Sequence, residues 1–322
     1  MTEPLFRFIR QLVVACTACF SLAAQDNSPS LFKNPFNGYV FDNFTHTVRS
    51  IVGVPGAAYL GKVLWTDVDF AAFSPNGASG IFRSENESWL MRGLQTNTPQ
   101  RFPLNELADL DGAVWSRDST TVILFSTRQS TLQRISTSSP NLRIEAPVDL
   151  KALGNLSKVA ISPAGSLAAI TTGNGLYLMD SNLQPQFLKA LADSASAHVF
   201  FADNTLYLAE NGMQESNLSI FPMPYYSASR QVTLPEGFAT SGLSASGQYV
   251  LLADAKNPQI QALDLATENW TSLSVDYQPA SLETIADSVL LIRPANAKAS
   301  VNVIRLKEFP KVFFIPVSPD DL

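Results

Sequence analysis

The chain of 322 residues has two cysteines, Cys16 and Cys19, both within its first 24 residues. Once that segment is removed, no disulfide framework and no thiol chemistry remain. A core of this size needs none, because a chain of roughly 300 residues buries about 75% of its unfolded surface. Histidine is as scarce, with only His46 and His198. Two imidazoles without cysteine cannot build a structural zinc site, and a His-rich copper or iron centre is excluded by number. Charged residues make up 16% of the chain and sum to −6. No Lys/Arg cluster offsets that sign, which argues against nucleic acid as a partner. Long hydrophobic runs are missing too. The apolar stretch at residues 12–22 falls short of the roughly 20 residues that span a bilayer, so no transmembrane segment is expected.

What is present is 46% hydrophobic residues, ample for a folded core. The N-terminus reads as an export leader over residues 1–24, with Arg7 and Arg10 before the apolar run and small residues at Ala23 and Ala24. A rival reading takes Val13-Val14-Ala15-Cys16 as a lipobox anchored through Cys16. Cleavage near Ala24 leaves 20 basic against 27 acidic residues, a net charge of −7, in a secreted or periplasmic chain expected to be a monomer. A flexible segment is expected at 25–37 and a single domain at 38–322.

One phrase returns along that domain. Ser74 in FSPNG, Ser116 in WSRDS, Ser162 in ISPAG, Ala202 in FADN, Ser244 in LSASG and Ala286 in IADS follow one another at 42, 46, 40, 42 and 42 residues. A short apolar strand precedes each marker and a turn with Gly, Asn, Asp or Ser follows, then a second apolar run such as Val122-Ile123-Leu124-Phe125. A period near 42 with four short strands per unit predicts an all-β propeller. The six units and a hairpin at Gly38–Gly53, with Asp42 at its turn, give seven blades. The count is six if Val301–Leu306 and Val312–Val317 are assigned differently. The hairpin reads as third and fourth strands that complete a blade with C-terminal strands and so close the ring, which would remove exposed sheet edges. Asp180 and Asp264, 84 residues apart, read as turn residues whose carboxylates accept backbone amides.

The markers resemble the Ser-Pro-Asp-Gly turn of TolB-like and WD40-like bacterial propellers, and the LMD and ALD turns are similar to those of YVTN-type repeats. Asn76, Ala164 and Ser246 stand where the family has Asp. The resemblance implies the fold and little about activity, since propellers host many unrelated functions.

Chemistry is harder to find. Gly242-Leu243-Ser244-Ala245-Ser246 lacks the second glycine of a nucleophile elbow, and Ser116-Arg117-Asp118 matches only half of a sialidase-type Asp box. No catalytic residue, metal ligand set or resident cofactor is assigned. The candidate ligand site is an acidic channel mouth. Asp67, Asp69, Asp109 and Asp111 fall just before two inner strands, with Asp69 and Asp111 separated by one period of 42, and Trp115 and His198 lie nearby. Such a rim suits a cation such as calcium, or a sugar. The sequence therefore points to an exported binding or scaffold propeller for a protein or small ligand. The alternative is a carbohydrate-active or other hydrolytic propeller in which paired carboxylates serve as acid and base.

Overall fold

The computed structural model describes residues 36–85, 87–104, 109–138, 142–212, 215–223, 230–286, 288–296, 300–306 and 309–317. The expected leader, both cysteines and residues 25–35 lie outside these. The first strand starts at Phe36, two residues before the expected domain boundary.

Seven antiparallel sheets follow one another in chain order as the blades of a β-propeller. Blade 1 spans residues 36–65, blade 2 70–103, blade 3 112–149, blade 4 156–189, blade 5 197–233, blade 6 240–274 and blade 7 279–315. Blade 1 has three strands. Each of the others has four, the outermost of blade 3 being split in two. In every blade the first strand is innermost, and the chain meanders outward through hairpins. Val301–Arg305 and Lys311–Ile315 are the third and fourth strands of blade 7, which settles the count at seven.

The core is a set of seams. Strand side chains alternate between the two faces of a sheet, so each blade packs against both neighbours. Seven clusters of buried apolar residues result, one at each junction. In blade 6, Leu243 and Ala245 join blade 5, while Leu251 joins blade 7. This explains the near-continuous apolar runs: both faces are covered. Gly242 shows how close the blades come. A Cβ there would lie 2.9 Å from backbone atoms of Ser281 and Leu282 in blade 7.

The repeated phrase is a serine-stapled hairpin in blades 2 to 4. Ser74 Oγ accepts the Ser79 amide at 2.9 Å, Ser116 Oγ that of Thr121 at 2.9 Å, and Ser162 Oγ that of Leu167 at 3.0 Å. The residue three beyond each serine is left-handed, with φ 67° at Gly77, 62° at Ser119 and 69° at Gly165. Blades 5 to 7 instead use two-residue hairpins, pairing Ala202 with Thr205, Ser246 with Tyr249 and Ala286 with Val289. Asp180 and Asp264 behave as read: the Asn182 amide reaches Asp180 Oδ1 at 2.8 Å, and the Ala266 amide reaches Asp264 Oδ1 at 2.8 Å.

The N-terminal hairpin differs from its expected place. It forms the first and second strands of blade 1, and Tyr59–Trp65 supplies the third, so the blade is not shared with C-terminal strands. Asp42 does hold the turn, accepting the Phe44 amide at 2.9 Å. Blade 1 meets blade 7 by packing Val40, Ile51 and Leu60 against Ile285, Leu291 and Ile315. Val317 meets blade 1 through a parallel bridge to Leu60, whose amide donates to the Pro316 carbonyl at 2.7 Å.

Candidate functional site

The inner strands of blades 2 to 7 surround a cavity of about 450 Å³. Its wall is largely aliphatic, with Ala72, Val114, Ala160, Val199 and Leu243. Lys158, His198, Ser241, Ser244 and Glu283 add polar groups, while the Trp115 ring closes one side and donates its Nε1 proton to the Ala72 carbonyl at 3.3 Å. At the hairpin end, Arg117 of blade 3 reaches Asp203 of blade 5 at 3.3 Å, an exposed ion pair between blades that are not neighbours in the ring.

His198 occupies the second position of its strand, Ala197–Ala202. Burial first, and then the nearby Lys158 ammonium, lower its pKa from 6.5 to about 4, against a hydrogen bond to the Thr240 backbone that raises it. The imidazole is therefore neutral at pH 7. Thr240 is fixed by Asn211, whose Nδ2 donates to its carbonyl at 2.9 Å and whose Oδ1 accepts its amide at 2.7 Å. Glu283 of blade 7 is tied to Arg293, with Nε donating to Oε2 at 2.7 Å.

The four aspartates of the expected rim hold turns. Asp69 Oδ2 accepts the Glu85 amide at 2.6 Å, and His46 Nδ1 lies 3.5 Å from its other oxygen. Asp111 Oδ2 accepts the Thr127 amide at 2.9 Å and the Thr127 hydroxyl at 2.8 Å. Asp109 accepts from Gln129 Nε2 at 3.1 Å, and Asp67, at φ 58°, from the Thr66 hydroxyl at 2.8 Å. The equivalence of Asp69 and Asp111 is real: each caps the second-to-third-strand turn of its own blade. None of the four lines the cavity, while Trp115 and His198 do. Trp115 ends its inner strand, Gly112–Trp115, whereas Asp109 and Asp111 precede its start, so they flank opposite ends. Among the described residues no group of three or more His, Cys, Asp or Glu is placed to hold a metal ion.

Sequence reasoning passed over Lys158 and Glu283. Each is a charge inside an inner strand, Leu156–Ile161 and Pro279–Ala286, and each lines the cavity. That interruption of an apolar run was the available cue.

No family model and no curated protein matches the sequence. Solved structures do match the fold. Hydrazine synthase of Kuenenia stuttgartiensis aligns with a TM-score of 0.55 at 11% identity, covering 74% of this chain and 76% of its own. A protein titled a putative 6-phosphogluconolactonase, from Bacteroides uniformis, gives 0.53 at 16% identity, with 75% and 83% covered. Sqt1 of Chaetomium thermophilum, solved bound to the N-terminus of a ribosomal protein, gives 0.55 at 13% identity, with 88% and 84% covered. At these identities the likeness carries the architecture alone: the chain is a seven-bladed β-propeller, similar in fold to proteins of unlike function.

Proposed function

We propose that this chain is an exported propeller that works by binding, receiving a protein or small ligand on a rigid ring outside the cytoplasm. The observation that supports this reading is the occupation of its carboxylates. An acid and base pair needs two carboxyl groups facing a substrate across several ångströms. Asp69 and Asp111 hold turn amides, and Glu283 is bound by Arg293. The channel keeps an aliphatic wall with a few convergent polar groups, a composition suited to holding a ligand.

The test is to incubate the mature protein with glycosides, esters and lactones, and in parallel to use it as bait in culture fluid and envelope extract. The reading expects no turnover and a saturable partner. Turnover abolished by Asp69→Asn, Asp111→Asn or Glu283→Gln would replace it with the hydrolytic alternative. N-terminal sequencing of the protein secreted by its host checks the export part, with a start at Ala24 or Gln25 expected and a lipid-modified Cys16 overturning it.

A further inference from the structure

We infer that the channel binds a small carboxylate carrying hydroxyl groups, with Lys158 meeting the charge and His198 and Ser244 meeting the hydroxyls; this rests on the reading of the propeller as a binding protein. The sign of the ligand follows from the ionisable groups on the wall, which are Arg117, Lys158, His198 and Glu283. Arg117 is paired with Asp203 and Glu283 with Arg293. Lys158 has no ion pair among the described residues. In a chain of net charge −6, its channel thus carries one cation without a carboxylate partner among the described residues, which favours an anionic guest.

The hydroxyls follow from the other two groups. His198 uses one ring nitrogen on the Thr240 backbone, and as a neutral imidazole it leaves a lone pair on the other nitrogen. That nitrogen can accept a hydrogen bond, which a carboxylate alone does not donate. Ser244 is an independent sign. It is 1% exposed, lines the same cavity, and its hydroxyl has no hydrogen-bond partner among the described residues. Ser74, Ser116 and Ser162 occupy the same place in the repeated phrase and spend their hydroxyls on hairpin amides. In blade 6 the pairing continues to Ser246 and Tyr249, which releases Ser244 from that duty. A buried hydroxyl left unmatched is costly unless something fills it.

The experiment is isothermal titration of the mature protein with three probes of matched length: gluconate, its neutral counterpart sorbitol, and hexanoate, which has the charge without the hydroxyls. Gluconate is expected to bind at least tenfold more tightly than either. Lys158→Met is expected to weaken gluconate tenfold or more and to raise the His198 pKa measured by NMR; Ser244→Ala is expected to weaken it several-fold. Arg101→Met, at a surface pair with Glu87, is expected to leave binding unchanged. Thermal melts confirm that each variant folds. Absence of gluconate binding, or binding indifferent to Lys158, overturns the inference. If gluconate fails while bait experiments capture a protein partner, the carboxylate site falls and the binding reading stands. If gluconate is bound and consumed, the site stands and the binding reading falls.

Discussion

Arg293 of blade 7 donates through Nη1 to the carbonyl of Phe41 in blade 1, joining residues 252 apart in sequence at the seam where the two ends of the ring meet. The same guanidinium holds Glu283, and both side chains are mostly buried, at 22% and 30% exposure. Removing it leaves a part-buried carboxylate unpaired and a carbonyl unmet, at a cost of about 2 kcal/mol. Arg293→Met is therefore expected to lower the melting temperature by several degrees. Deleting residues before Val54 removes the two inner strands of blade 1 and opens two seams, so a far larger loss is expected. A truncated protein melting like its parent would show that blade 1 contributes nothing to the ring.

The serine staples make a sharper test, because one phrase has two outcomes. Ser74→Ala, Ser116→Ala and Ser162→Ala each strip a partner from a hairpin amide and are expected to cost about 1–2 kcal/mol. Ser244→Ala removes a hydroxyl that has no hydrogen-bond partner among the described residues, so it is expected to be neutral within about 0.5 kcal/mol or stabilising. Urea denaturation of the four variants decides it. Equal losses in all four would mean that Ser244 is stapled as well.

Much of the ring was legible because its markers sit where one strand must turn into the next. Even the degenerate units kept their meaning: Ala202 and Ala286 end their inner strands, as the spacing required. What sequence could not show was register. SPNG and SASG look alike, but blade 6 pairs its first strand three residues further, and only that shift frees Ser244. Blade 1 was misplaced for a related reason, since its third strand, Tyr59–Trp65, follows a Pro-Gly turn outside the repeated phrase. The aspartate pairs were located correctly along the chain. Asp69 and Asp111 accept amides 16 residues later, in the turn that follows the neighbouring strand, which period-2 spacing does not reveal.

Those aspartates carry a prediction of their own. Asp111 accepts two bonds from Thr127, so Asp111→Ala is expected to cost about 1 kcal/mol and Asp111→Asn, which keeps one acceptor, about half of that. With the carboxylates engaged this way, millimolar calcium is expected to leave the melting temperature unchanged. A calcium-dependent rise lost on Asp69→Asn and Asp111→Asn would instead make the acidic rim a cation site.

The last prediction concerns pH. His198 has a folded pKa of about 4 against an ordinary 6.5, so between these values the unfolded chain binds a proton that the folded one refuses. Stability therefore rises with pH across that window: it is fully present above 6.5 and is lost progressively as the pH falls toward 4, by roughly 3 kcal/mol for a shift of this size. The carboxylates act elsewhere. Asp180 is held below 3.8 chiefly by the Gln184 amide and Asp264 by the Ala266 amide, while at Asp118 burial pushes upward but bonds from Ser116 and Thr120 outweigh it. Depressed acids lose their contribution below 3.8, so their window lies under that of His198. Denaturation midpoints at pH 4.0, 5.0, 6.5 and 7.5 should fall steadily below 6.5 in the parent, and the fall should be much reduced in His198→Gln. An equal slope in both would place the titrating group elsewhere, and an NMR titration of His198 near 6.5 would show that the channel does not desolvate it.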